Sequence, residues 1–253
     1  MTAIAIAMLA LGFMLAGALV GILVRKVLPE DHFSSDSKDV LKLSMGVVAT
    51  LAALVLGLLI ATAKNSFDAR QIEINQITAY AVQLDHMLAL YGQEAQAARV
   101  NLRQALGPMV DRIWSEGASK SARTSPFQTT AESEKLYQSL NALEPQNDAQ
   151  RGLHARIVQL ATDLAQARLL LFAQIGSSMP APFLAVLIFW LTVLFAGFCL
   201  MARANPTALV VLFVCVLSVS GAIFLILELD QPFAGLMSIP SEPLQNALVP
   251  LSP

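Results

Sequence analysis

The sequence predicts an all-α membrane protein: four transmembrane helices, with a long antiparallel helical-bundle insert between helices 2 and 3. Three observations carry this expectation. Hydrophobic residues make up 56% of the chain and charged residues 13%, whereas soluble domains carry about 25% charged residues. The apolar residues gather in four uninterrupted blocks, each close to the roughly 20 residues that a helix needs to cross hydrocarbon. The stretch between the second and third blocks is polar yet keeps a helical period.

The blocks cover residues 2–24, 43–63, 179–202 and 207–227, and none contains Asp, Glu, Lys or Arg. Helix is the simple way for such a block to satisfy its own backbone donors and acceptors in lipid. The first block has no basic leader, exceeds the about 7–15 apolar residues of a signal peptide, and runs into Arg25-Lys26 without a small-residue cleavage site, so it is expected to be retained. Four crossings put the 25–42 loop and the 202–206 turn on one side, and both termini with the insert on the other. Arg25, Lys26, Lys38, Lys42 and Arg203 lie on the loop side, and positive charge favours the cytoplasm. This count places the insert outside the cytoplasm, against the opposing charges of Lys64, Arg70 and Arg168.

Within the insert, Ile74, Ile77, Ala81, Leu84, Leu88 and Tyr91 recur at steps of three and four, which is coiled-coil spacing. The second transmembrane helix is expected to continue outward through them. Leu153, Ile157, Leu160, Leu164, Ala167 and Leu171 repeat the pattern towards the third span, giving two antiparallel helices that form a stalk. Ala98, Leu102, Leu106, Met109 and Ile113 mark another helix, with a bend expected at Gly107-Pro108. Residues 115–130, rich in Ser, Thr and Gly, read as a loop. Thr129 and Glu132 then stand at capping-box spacing before Leu136, Leu140 and Leu143, and Pro145 ends that short helix. Acidic and basic side chains are equally numerous and interspersed over 64–178, the pattern of solvated helix faces.

The chain divides accordingly into 1–63 (spans 1 and 2), 64–178 (a bundle continuous with spans 2 and 3), 179–229 (spans 3 and 4) and a 230–253 interfacial tail. A net charge of −2 offers no basic field for nucleic acid. His32, His86 and His154 fall in separate segments, and Cys199 and Cys215 sit inside apolar blocks, so no metal or redox site is predicted. Ser177 and Ser178 lack a nucleophile-elbow context and no Gly-rich phosphate loop occurs. No cofactor and no enzymatic activity are expected.

Gly17 and Gly21 make a Gly-x-x-x-Gly pair in the first span, and Ala49, Ala53, Gly57 and Ala61 a small-residue stripe in the second. Both permit close helix approach, within one chain or in a homo-oligomer. Glu228 and Asp230 directly follow the uncharged fourth block, on the membrane face that also receives Lys64, Asn65, Asp68 and Arg70. With Pro232 and Phe233 these form the candidate juxtamembrane cluster. Its plain role is to mark the water boundary, with Pro232 and Gly235 turning the chain; its functional role is a polar pore mouth. Ser241-Glu242-Pro243-Leu244 predicts a short terminal helix near the interface, with Ser as cap and Pro in the first turn.

The run Asn65-Ser66-Phe67-Asp68-Ala69-Arg70, the run Leu229-Asp230-Gln231-Pro232-Phe233-Ala234-Gly235 and the later Ser241-Glu242-Pro243-Leu244 resemble the bacterial bestrophin-like domain family, whose function is unknown. The layout of two spans, a helical insert and two more spans is similar too. The resemblance implies a bacterial inner-membrane protein distantly akin to bestrophins, pentameric anion channels with a neck of apolar and aromatic residues from the second span. This chain departs there, since residues 43–63 include no Phe, Tyr or Trp. Bestrophin neck residues therefore do not carry over, and the bestrophin layout places the insert in the cytoplasm, opposite to the charge count. Two functions follow as expectations: an oligomeric ion channel, or a non-conducting scaffold or sensor whose stalk binds a partner.

Overall fold

A computed structural model describes residues 2–27, 35–118, 131–175, 181–201, 206–233 and 235–248. Among them the regular elements are α1 (Ala3–Val27), α2 (Ser35–Tyr91), a single 3-10 turn (Gln93–Ala95), α3 (Gln96–Ala118), α4 (Ala131–Asn141), α5 (Asp148–Ile175), α6 (Ala181–Met201), α7 (Pro206–Leu229) and α8 (Glu242–Leu248). No strand occurs among the described residues. Four helices, α1, α2, α6 and α7, are long and apolar enough to cross a membrane. Thr129, His32, Arg203, Ser177, Ser178 and the 202–205 turn lie outside the described residues.

The chain forms two compact units, Met1–Ser66 with Met179–Asp230, and Phe67–Ser178 with Gln231–Pro253. The 57-residue α2 passes from the first into the second. It contains no proline, and it ends where Gly92 takes a φ of +119°, a conformation that costs glycine little and other residues much. On the return side, the continuity expected between the bundle and span 3 falls on residues 176–180, outside the described ones.

The second unit is built on the heptad positions. Ile74, Ile77, Ala81, Leu84, Leu88 and Tyr91 of α2 are all buried, and so are the corresponding residues of α5 from Ile157 to Leu171. Leu153 is half-buried at the rim of the same core. Ala98, Leu102, Leu106, Met109 and Ile113 of α3 join them, as do Leu136 and Leu140 of α4. Pro108 lies inside α3 without ending it, and the helix runs on through Ala118, four residues into the stretch expected to be loop. The hydrophobic effect accounts for this unit: each stripe is apolar on one face and buries that face against the others.

In the first unit α1 packs against both α6 and α7. A Cβ on Gly17 would stand 2.7 Å from both the Thr192 Cγ2 and its carbonyl oxygen, and one on Gly21 would run into the Ala196 carbonyl oxygen. The two glycines therefore let the backbones of α1 and α6 touch. The Ser220 hydroxyl donates to the Ala7 carbonyl oxygen at 3.0 Å, joining α7 to α1 through a buried hydrogen bond. Arg25 donates through Nη1 to the Leu200 carbonyl oxygen at 3.1 Å, satisfying one of the acceptors that the end of α6 leaves open. A third or less of each apolar window in the four long helices is buried. Leu, Val, Ile and Phe cover most of the outward surface, including Leu54, Leu58, Phe189 and Val210.

Candidate functional site

The second unit carries little that reads as a ligand site and much that reads as bracing. Asp85 and Arg99 pair through two hydrogen bonds, at 2.8 Å to Nε and 2.9 Å to Nη2, tying α2 to α3 across the Gly92 turn. The hydrogen bond to Asp85 raises the Arg99 pKa above its ordinary value, with burial opposing it and the Asp85 charge adding to it. Arg168 donates to the Ser133 hydroxyl at 2.9 Å and lies 5.8 Å from the Phe172 ring centroid, bridging α5 to α4. The Tyr137 hydroxyl donates to the Ala161 carbonyl oxygen at 3.2 Å, and burial pushes its pKa up. His154 meets the Leu140 carbonyl oxygen at 3.1 Å, whereas His86 is exposed. No group of His, Cys, Asp and Glu suited to a metal ion occurs among the described residues.

The tail docks on this unit. Phe233, Ile239 and Leu244 are buried in its core. Trp114 of α3 meets Phe233 edge to face at 5.7 Å and donates its indole N–H to the Ile239 carbonyl oxygen at 3.0 Å. The sequence reading missed Trp114. The available signal was a single Trp in an otherwise polar stretch of α3, next to the core position Ile113, since a buried indole N–H normally finds an acceptor.

The eight residues of the candidate juxtamembrane cluster fall four to each unit. Lys64 and Asn65, both exposed, stand near the end of the apolar part of α2, and Glu228 (buried) and Asp230 (half-buried) at the end of α7, all in the first unit. Asp68, half-buried, and Arg70, Pro232 and Phe233, all buried, belong to the second. Arg70 precedes Ile74 and Ile77 by four and seven residues, and that helical spacing places it on the core-facing side of α2. Lys64, Asp68, Arg70, Glu228 and Asp230 each engage another group.

The helix-packing candidates also separate. Gly17 and Gly21 lie in the α1–α6 contact, as described above. On α2 the face turned into the first unit carries Met45, Ala52, Leu59 and Ala63. Ala49 is half-buried, and Ala53, Gly57 and Ala61 are exposed, with nothing within 4 Å of a Cβ built on Gly57. The small-residue stripe of α2 is thus an outward surface of the single chain. A groove of about 590 Å3 between α6 and α7, lined by Phe195, Phe198, Val211, Leu212 and Cys215 with Thr207 and Ala208, has no converging polar groups with which to bind or transform a polar ligand.

These features define a class: an all-helical chain with four helices of membrane-crossing length, a braced helical bundle, and a small-residue face on its longest helix. The chain belongs to the bestrophin-like domain family, whose model matches residues 12–244 and so takes in most of α1, all of α2, α6 and α7, the bundle and the docked tail as far as the start of α8. No curated protein and no solved structure matches it.

Proposed function

We propose that the four long apolar helices cross a bacterial inner membrane, and that copies of the chain assemble into an ion channel, anionic by analogy with bestrophins, with α2 facing the axis. The observation that carries this reading is the outward face of α2. Ala53, Gly57 and Ala61 leave a shallow strip along a membrane-length helix that no other part of the described chain covers. Such a strip suits either close approach of identical helices or the wall of a narrow path. Family membership supports the same reading. Lys64 and Asn65, near the end of the apolar part of α2, and Glu228 and Asp230, at the end of α7, then supply the polar mouth. The bilayer and other copies of the chain are its partners, nucleic acid is not, and it performs no catalysis and holds no cofactor. The charge count favours an extracytoplasmic bundle, and labelling of Ser125→Cys in sealed vesicles decides the side.

Purified protein in liposomes should pass small ions, Gly57→Leu should abolish the flux by filling the path, and Asp230→Ala should change conductance. Flux that stays at the level of empty liposomes across salt and pH refutes the channel. The continuity of α2 through residue 91 favours a second reading, in which the bundle binds a partner and passes helix movement to the membrane without permeation. A stable protein partner retained by the full chain, together with silent liposomes, would select it.

A further inference from the structure

Residues 231–240, which follow α7, contain no charged side chain. Pro232, Phe233 and Ile239 are buried in the second unit, and the Ile239 amide donates to the Pro232 carbonyl oxygen at 2.7 Å, closing the segment into a loop. Trp114 holds both ends of it, through the Phe233 ring and the Ile239 carbonyl. Between these anchors the chain turns at Gly235, with a φ of +109°, and presents Leu236 at 81% exposure and Met237 at 44%. Loop tips in water favour Gly, Asn, Asp and Ser. Here a loop fixed at both ends instead holds two large apolar side chains outward, so they are not exposed for want of a place to fold back.

Chain continuity limits how far they can lie from the end of α7. Leu236 is the sixth residue past Asp230, where α7 has just ended, so even a fully extended chain lets it travel only about 20 Å from there. We propose that Leu236 and Met237 form a finger that enters the interfacial layer of the bilayer crossed by α7. The proposal rests on the membrane-crossing reading of α7. A short, uncharged and unbranched-to-γ-branched apolar tip matches the boundary of headgroups and acyl chains, where apolar area is buried without a charge being desolvated. Trp114 ties the loop to α3.

The test uses the full chain with Cys199→Ala and Cys215→Ala, carrying an environment-sensitive fluorophore on Leu236→Cys. It is reconstituted in phosphatidylcholine–phosphatidylglycerol vesicles containing lipids with a nitroxide at the headgroup or along the acyl chain. Labels on Val210→Cys, at an outward position of α7, and on Gln166→Cys, at an exposed position of α5, serve as references. The Leu236 label should lose emission to headgroup and shallow acyl nitroxides and resist aqueous iodide, while the Gln166 label does the reverse. A Leu236 label that follows the Gln166 label overturns the proposal. So does one shielded from both quenchers whose self-quenching rises with labelling density, which marks a second copy as the occupant. If the Val210 label also escapes every lipid nitroxide, the membrane reading of α7 fails and takes this proposal with it. If only the Leu236 label escapes, the reading of α7 stands.

Discussion

The two units pack by opposite means. In the second, large side chains fill the space between helices: Leu84, Leu88, Leu102, Ile113, Ile157 and Leu171 are almost wholly inaccessible, and polar side chains take the outside. In the first, α1 and α6 meet backbone to backbone at Gly17 and Gly21, and the large apolar side chains point outward. On the proposed membrane-crossing reading of the four long helices, the difference follows from the solvent each surface meets. Against water, burying a leucine is favourable by about 1.5–3 kcal/mol, so apolar stripes drive association. Against hydrocarbon that driving force vanishes, and helices gain from dispersion contacts and hydrogen bonds that small residues allow.

The largest expected effect tests the side-chain half of this contrast on a single helix. Leu84 and Leu54 both belong to α2, the first fully buried and the second 66% exposed. Leu84→Ala should lower the stability of the full chain in detergent by about 2–5 kcal/mol, through lost transfer energy and a cavity. Leu54→Ala should change it by no more than about 0.5 kcal/mol. Denaturant unfolding followed by Trp emission measures both. Equal losses would mean that the outward face of α2 is buried by another copy even in detergent, and the contrast between the units would shrink.

The backbone half is tested by two glycines of like sequence context and unlike surroundings. Gly21→Ala puts a methyl group against the Ala196 carbonyl, a backbone atom that cannot swing aside. The two helices must part, at a cost of about 1–3 kcal/mol of overpacking. Gly57→Ala meets open space and should raise helix stability by up to about 1 kcal/mol. Thermal melting in detergent separates the two. A melting temperature that falls for Gly57→Ala as it does for Gly21→Ala would show that the α2 stripe is packed in the purified assembly.

How much of this was legible in the sequence depended on the same physics. In the insert, period and solvent agree, so the heptad residues named from spacing alone coincide with the core, down to Ile113 and Leu140, with Leu153 alone at its rim. Inside the spans nearly every residue is apolar, and period says nothing about which face turns inward. Gly17-x-x-x-Gly21 and the Ala53-Gly57-Ala61 stripe looked alike, yet one lies in a helix contact and the other faces outward, because the partner helix and not the stripe decides. The candidate cluster was read from its distance along the chain to the membrane boundary. Its division between two compact units was illegible, since that depends on Arg70 following the phase of Ile74 and Ile77 while Lys64 and Asn65 remain exposed with the span. Trp114 was missed because its partners, Phe233 and Ile239, are more than a hundred residues away in the chain.

The smallest expected effect concerns how strictly each unit satisfies its polar atoms. In the first unit the buried Ser220 hydroxyl has its acceptor, the Ala7 carbonyl, as buried polar groups normally do. In the second, the buried Tyr91 hydroxyl has no hydrogen-bond partner among the described residues. Tyr91→Phe removes that unpaired buried hydroxyl and should stabilise the full chain by about 1 kcal/mol at neutral pH. The pH dependence has a definite sign. Burial raises the Tyr91 pKa above its ordinary 10.0, and the charges of Glu94 and Glu144 raise it further. The folded chain therefore holds this proton more tightly than the unfolded one, so this titration leaves stability unchanged below pH 10.0 and lowers it as pH rises from there through the folded value. Arg99, raised above its ordinary value, would lose its contribution only at still higher pH, so the Asp85–Arg99 brace stays intact through the tyrosine range. The wild-type chain should accordingly lose stability faster than Tyr91→Phe as pH rises above 10.0, as read by unfolding midpoints in detergent. Parallel curves would mean that the Tyr91 phenol meets water in solution, and that the end of the bundle at Gly92 is looser than its core.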